Sequence, residues 1–267
     1  MVVRIRLACV VALTAGCGSF DAAPIDAGAA PDARDADTSA PADDSVARYT
    51  FTEGSGAVVH DVSGVEPALD LNILDKAAAT WGADGLTLGA PVLVDSITPA
   101  TKIFDACAVT DAVTVETWIR PGVAAQGGPA RVVTMSTAHN EQNFLLGIGE
   151  NDASEPSSRY VLRLAAPLGP FVATAVGIAE TELQHVVATA HFGSRALAIY
   201  VDGTPVGSAP LSGTVAATWS RDRPLVLGGE RGLSDRHFLG TYEFLAIYAR
   251  ALSRDEVAQR FAAGPRR

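Results

Sequence analysis

The run from Ala196 to Gly207, Ala-Leu-Ala-Ile-Tyr-Val-Asp-Gly-Thr-Pro-Val-Gly, restricts the fold more than any other stretch of this chain. Leu197, Ile199 and Val201 alternate with Ala198, Tyr200 and Asp202, the period of two of a strand with one face in a core. Asp202-Gly203 supplies the two positive-φ residues that a tight hairpin turn requires, and the chain returns through Val206. Pro205 has no N–H to give to a ladder, so the return strand bonds on one side only at that point. Short apolar runs recur along the chain, at 113–119, 132–135, 144–148, 160–164, 171–176, 185–192, 225–227 and 242–248, with turn residues between them. That spacing predicts an all-β fold of two antiparallel sheets packed as a sandwich.

One helix start is legible. Ser253-Arg-Asp-Glu256 is a capping box, with Leu252 and Val257 placed as a hydrophobic staple and Asp255 and Glu256 at the positive end of the helix dipole. A short C-terminal helix is expected to end before Gly264-Pro265.

Hydrophobic residues make up 48% of the 267, enough for a packed core, but only 6% are aromatic, so Val, Leu, Ile and Ala must fill it. The net charge of −10 argues against a nucleic-acid partner, for which a basic stripe is the expected footprint. His60, His139, His185, His191 and His237 have no metal-ligand spacing, and no G-x-S-x-G elbow occurs.

Residues 1–16 read as a secretion signal, with Arg4 and Arg6 before an apolar run, Leu7 to Leu13, and small residues at 15 and 16. Leu-Thr-Ala-Gly-Cys17 resembles the lipobox of bacterial lipoproteins, which implies a lipid on Cys17 and, with Gly18 following, an outer-membrane lipoprotein, periplasmic or surface-exposed. Residues 17–45 are Ala, Asp and Pro with seven Asp against Arg34, too polar to bury a core, and read as a tether; a globular domain is expected over 46–267. Cys107 is the other cysteine beyond the leader, so no disulfide framework is available and a buried, inert thiol is expected.

In order along the chain stand Tyr49-x-Phe51-x-Glu53-Gly54-x-Gly56, Asp61-Val-Ser63-Gly64, Val115-x-x-Trp118-Ile119, His185-Val-Val-Ala-Thr189, Ile199-Tyr-Val-Asp-Gly203, Leu227-Gly228, Phe238-Leu-Gly240 and Ile247-Tyr248-x-Arg250-Ala-Leu-Ser253-x-x-Glu256. This ordered set resembles the laminin G-like branch of the concanavalin A-like lectin/glucanase superfamily. The resemblance implies a jelly-roll sandwich and, since some relatives bind calcium, a calcium site with Asp61 as first ligand and Glu243 as second. The alternative for Asp61 is an Asx bond capping its own turn. Two positions depart from the family's usual pattern: Leu183 and Gln184 stand where a Trp is common, and Glu243-Phe244 where Asp-Glu is common.

Glu150-Asn-Asp152-Ala-Ser-Glu155 has the letter spacing of the E-x-D-x-x-E carboxylates of retaining β-glucanases on this fold. Polar fillers and a position between two apparent strands make it an acidic hairpin loop instead. Trp81, Trp219 and Tyr242 are either platforms on which a sugar stacks or core residues, with Trp219 and Tyr242 carried forward as ligand-binding candidates. The expected function is a non-catalytic, lipid-anchored binding module for a glycan or an extracellular protein. A glycoside hydrolase and a structural envelope protein are the alternatives.

Overall fold

A computed structural model describes residues 43–150, 154–165, 169–232 and 235–265. The signal expected at 1–16, the lipid expected on Cys17, residues 17–42 of the expected tether and Asp152 lie outside the described residues.

From the N-terminal side the strands are β1 (Ala47–Tyr49), β2 (Val58–Val59), β3 (Leu71–Ile73), β4 (Ala79–Gly82), β5 (Gly85–Leu88) and β6 (Val94–Pro99). Helix α1 (Thr101–Thr110) precedes β7 (Ala112–Pro121), β8 (Ala130–Ser136), β9 (Gln142–Ile148), β10 (Tyr160–Leu164) and β11 (Phe171–Ala173). Then come β12 (Gln184–His191), β13 (Ala196–Val201), β14 (Thr204–Pro210), helix α2 (Val215–Thr218), β15 (Pro224–Leu227), β16 (Gly240–Tyr248) and helix α3 (Arg254–Ala263). The first sheet runs β14-β13-β12-β7-β16-β5-β4, with β1 also on β16; the second runs β11-β10-β9-β8-β15-β6-β3-β2. Every strand pair within them is antiparallel, and the two inward faces share one apolar core, which is the expected sandwich.

The organising hairpin forms as its residues require. Asp202 (φ 50°) and Gly203 (φ 74°) make the turn between β13 and β14. The Asp202 carboxylate accepts the His185 N–H at 2.9 Å and so ties the turn to β12. Pro205 lies on β14, the sheet's edge strand, opposite Tyr200 and beside a register shift.

The capping box closes reciprocally: the Ser253 hydroxyl accepts the Glu256 N–H, and the Glu256 carboxylate accepts the Ser253 N–H at 2.8 Å. Leu252 and Val257 pack with Trp118, Val187, Phe244 and Tyr248 in a second apolar cluster. These residues alternate along their strands with inward ones such as Val115, Val186 and Ile247, so α3 covers the outer face of the first sheet.

Helix α1 carries no such signal. Its N-cap, Ala100, makes no side-chain cap bond, and only the Ile103/Cys107 spacing marks a buried face. The Cys107 thiol is fully buried, which pushes it up to about 12 and leaves it without thiolate character near neutral pH.

Candidate functional site

A concavity lies where the ends of β5 and β7 meet the start of β16. Gly240 opens β16 opposite both Leu88 and Pro121, and the next register row sets Arg120, Thr241 and Thr87 side by side on three adjacent strands. The Thr87 and Thr241 hydroxyls are 2.8 Å apart and bonded to each other. Leu88, Pro121, Val123 and Leu239 supply apolar walls and Thr181 stands at the rim of a cleft of about 470 Å³. That size suits a small ligand or one or two sugar rings.

Glu243 sits behind this row. Between Tyr242 and Phe244 the β16–β7 register shifts by one, leaving Glu243 as the bulged residue with its carboxylate buried and 3.5 Å from the Arg120 guanidinium. The other nitrogen of Arg120 faces the exposed Glu182 at 3.8 Å. Glu243 thereby holds Arg120 over the cleft. A lone carboxylate facing a guanidinium does not fit a calcium ligand set, which needs six to eight oxygens.

The calcium role expected of Asp61 also gives way, for a clear physical reason. Its Oδ1 accepts N–H groups from Arg48 (3.1 Å) and Ser63 (3.0 Å), the second being the Asx turn. Its Oδ2 accepts the Leu69 N–H (3.0 Å) and the Lys102 ammonium. Lys102 reaches in from α1 and also donates to the Val65 carbonyl at 2.7 Å. Burial alone raises the Asp61 carboxyl, but Lys102 and the N–H donors outweigh it and hold the group below the usual carboxylate range. The cation that this site needs is already a lysine. Among the described residues no three His, Cys, Asp or Glu side chains gather as a metal site.

Both aromatic ligand-binding candidates belong to the core. Tyr242 is fully buried, stacks on Phe51 at 5.5 Å, meets Phe238 edge-on at 5.2 Å, and donates to the Val132 carbonyl at 2.5 Å. Trp219 caps α2 at its C-terminal end and packs its ring 5.7 Å from Phe144. A sugar has no ring face to stack on at either position. Strand parity places Tyr242, which precedes the bulge, on the inward face, whereas Phe244 beyond it faces α3. Trp81 is half-buried, with its indole N–H donating to the Gly56 carbonyl at 3.2 Å.

Glu150 and Glu155 lie within the β9–β10 connection, as the hairpin reading expected, and Glu150 pairs with Arg159 at 3.0 Å.

A buried ionic cluster that no sequence motif announced lies under α3. Glu116 on β7 has diagonal neighbours on both flanking strands, His185 on β12 and Tyr248 on β16. Its Oε1 is 3.0 Å from His185 Nε2, and its Oε2 accepts from the Tyr248 hydroxyl (2.7 Å) and Arg260 (3.2 Å). The Arg260 guanidinium lies 4.6 Å over the Tyr248 ring, and the rings of Trp118, His185 and Phe261 meet one another, Trp118 at 4.7 Å from His185 and 5.8 Å from Phe261 and His185 at 6.1 Å from Phe261. Every charged member is buried, so this cluster docks the helix rather than meeting a ligand.

Comparison with known proteins gives the same fold. The laminin G family model described as concanavalin A-like lectin/glucanases superfamily matches residues 95–258. No curated protein sequence matches the chain. Among solved structures, the binding domain of botulinum neurotoxin serotype D/C is similar with a TM-score of 0.55 at 10% identity, over 83% of this chain and 52% of that one. Trypanosoma rangeli sialidase in complex with sialic acid is similar with a TM-score of 0.56 at 19% identity, over 83% of this chain and 33% of that one. The binding domain of botulinum neurotoxin DC in complex with rat synaptotagmin II gives a TM-score of 0.55 at 12% identity, again over 83% and 52%. The chain thus spans about half of the toxin domains and a third of the sialidase, and at these identities the likeness is one of fold.

Proposed function

Because the chain belongs to the concanavalin A-like lectin/glucanase superfamily, we propose that it is a non-catalytic binding module whose ligand, a glycan, seats in the cleft between β5, β7 and β16. The observation that carries this reading is the register row Arg120–Thr241–Thr87. It sets a guanidinium and two hydroxyls in line beside apolar walls, the mixture that orients a hydroxyl-rich ring. The fold itself hosts binding domains and glycosidases alike, so the site and not the fold bears the argument. The solved neighbours support binding in general, since the toxin domains are binding domains, one with synaptotagmin II, and the sialidase holds sialic acid. An extracellular protein is the second reading, favoured by the synaptotagmin complex.

Calorimetric titration of the full chain with a panel of neutral glycans tests the first reading. Thr181 is exposed at the rim, so Thr181→Trp fills the mouth without touching the core. It is expected to lower affinity at least about tenfold with an unchanged melting temperature. Titrations with calcium and with chelator are expected to coincide, because Lys102 holds Asp61. A silent panel would pass the cleft to a protein ligand, and shortening of the bound glycan would favour a glycosidase.

The leader supports a place outside the cytoplasm, tethered through Cys17. Cys17→Ser is expected to move the protein from the membrane fraction to the soluble one; retention in the membrane would exclude that anchor.

A further inference from the structure

Among the described residues that line the cleft, Arg120 alone is charged. Its guanidinium stands between two carboxylates in different surroundings. Glu243, on the bulge of β16, is 3.5 Å from one nitrogen, and its side chain is only 1% exposed, so water screens it little. Glu182 follows Thr181 at the rim, 3.8 Å from the other nitrogen, with its side chain 82% exposed.

Both contacts are longer than the roughly 2.7–2.9 Å of a close guanidinium–carboxylate hydrogen bond. A guanidinium carries five N–H groups, and two such long contacts do not consume them. Arg120, whose side chain is 40% exposed, therefore keeps N–H groups to offer a ligand although its charge is already matched. Set against Glu243 and Glu182 together, it leaves the mouth of the cleft net negative.

A carboxylate, sulfate or phosphate seated on Arg120 would crowd Glu243 behind it and Glu182 beside it. Repulsion from the buried carboxylate is the larger of the two, because water and salt reduce that from Glu182. A hydroxyl oxygen meets neither penalty and accepts from the same N–H groups. Thr241 and Thr87, next in the row and bonded to each other at 2.8 Å, add hydroxyls and no charge.

We propose that Glu243 and Glu182 determine the ligand class of the cleft. They cancel the charge of Arg120 and leave its N–H groups, so the cleft admits uncharged, hydroxyl-bearing ligands and refuses anions. This inference rests on the reading of the cleft as a binding site. Both residues act through Arg120. Opposing like charges in this way gives specificity against a wrong partner without loss of affinity for the right one.

The test is titration of the full chain and its variants with dextran and carboxymethyl-dextran, which share a backbone and differ in charge. Glu182→Gln/Glu243→Gln is expected to bind carboxymethyl-dextran at least about tenfold more tightly than the parent does, with the gain shrinking as salt is added. Its response to neutral dextran is expected to stay as in the parent. Adding Arg120→Gln is expected to cancel the gain, which places it in the cleft. Glu182→Gln alone, at an exposed position that leaves the fold intact, is expected to gain about threefold. This single variant decides the matter if the double variant melts low. Glu155→Gln, an exposed carboxylate elsewhere, is the charge-matched control and is expected to gain nothing. The proposal is overturned if the carboxylate variants gain no more than this control, or if the gain survives Arg120→Gln. An Arg120-dependent gain beside a silent neutral-glycan panel would sink the glycan reading and leave the charge screen standing. Glycan binding by the parent with no gain in the variants would do the reverse.

Discussion

Asp61→Ala is expected to destabilise the domain by about 3–5 kcal/mol, the cost of leaving one partner of a buried ion pair uncompensated. The side chains of Lys102 and Asp61 are 4% and 0% exposed, so the ammonium has no water to turn to. The same substitution orphans the backbone N–H groups of Arg48, Ser63 and Leu69, which together pin β1 and the loop after β2 to the rest of the fold. Lys102→Met is expected to cost less, because the carboxylate would keep its three N–H donors. Against a typical total of about 5–15 kcal/mol, the Asp61→Ala loss removes a large share of the stability. Urea unfolding of the two variants measures the difference. Equal costs would mean that the ion pair, and not the carboxylate as an N–H acceptor, dominates there.

Glu116→Gln is the second large effect, again about 3–5 kcal/mol at neutral pH, because it takes from the buried Arg260 guanidinium of α3 its buried counter-charge, with the more exposed Asp44 carboxylate 3.9 Å off. Burial alone raises the Glu116 carboxyl, but His185, Arg260 and the Tyr248 hydroxyl outweigh it and hold the group below the usual carboxylate range. A carboxyl that binds its proton more weakly folded than unfolded contributes fully above the unfolded-state value of about 4.3. That contribution is lost as pH falls through the lower native value. The parent protein is therefore expected to lose stability steeply below about pH 4, with Asp61 adding to the same limb. Glu116→Gln should show a shallower acid limb from a lower plateau. Glu116→Leu combined with Arg260→Met should recover part of the loss, since apolar pairs of similar volume often replace buried ion pairs without cost. Chemical denaturation at pH 7, 4 and 3 reads all three; a Glu116→Gln curve parallel to the parent's would show that this carboxylate does not set the acid limb.

Legibility of the site differed from legibility of the fold. Asp61 and Glu243 were singled out as residues, and both prove to be structural carboxylates matched to a basic partner, Lys102 and Arg120. Neither pairing has a local trace, since Lys102 is 41 residues from Asp61 and Arg120 is 123 from Glu243. For Tyr242 and Trp219 the sequence favours a core position but leaves a ligand role open, and the inward parity of β16 before its bulge and the packing of Trp219 on Phe144 assign them to the core. The cleft row Arg120–Thr241–Thr87 brings together three residues from separate strands.

By itself the sequence determined what depends on near neighbours. The Asp202-Gly203 turn, the alternation along β13, the capping box at Ser253 and the burial expected of Cys107 all rest on residues a few positions apart, and physical chemistry at that range leaves few options. Tertiary structure alone decided which cation each buried carboxylate meets. A charge is tuned by what lies within a few ångströms in space, and antiparallel pairing of strands distant along the chain sets those distances without leaving a periodic mark in the sequence.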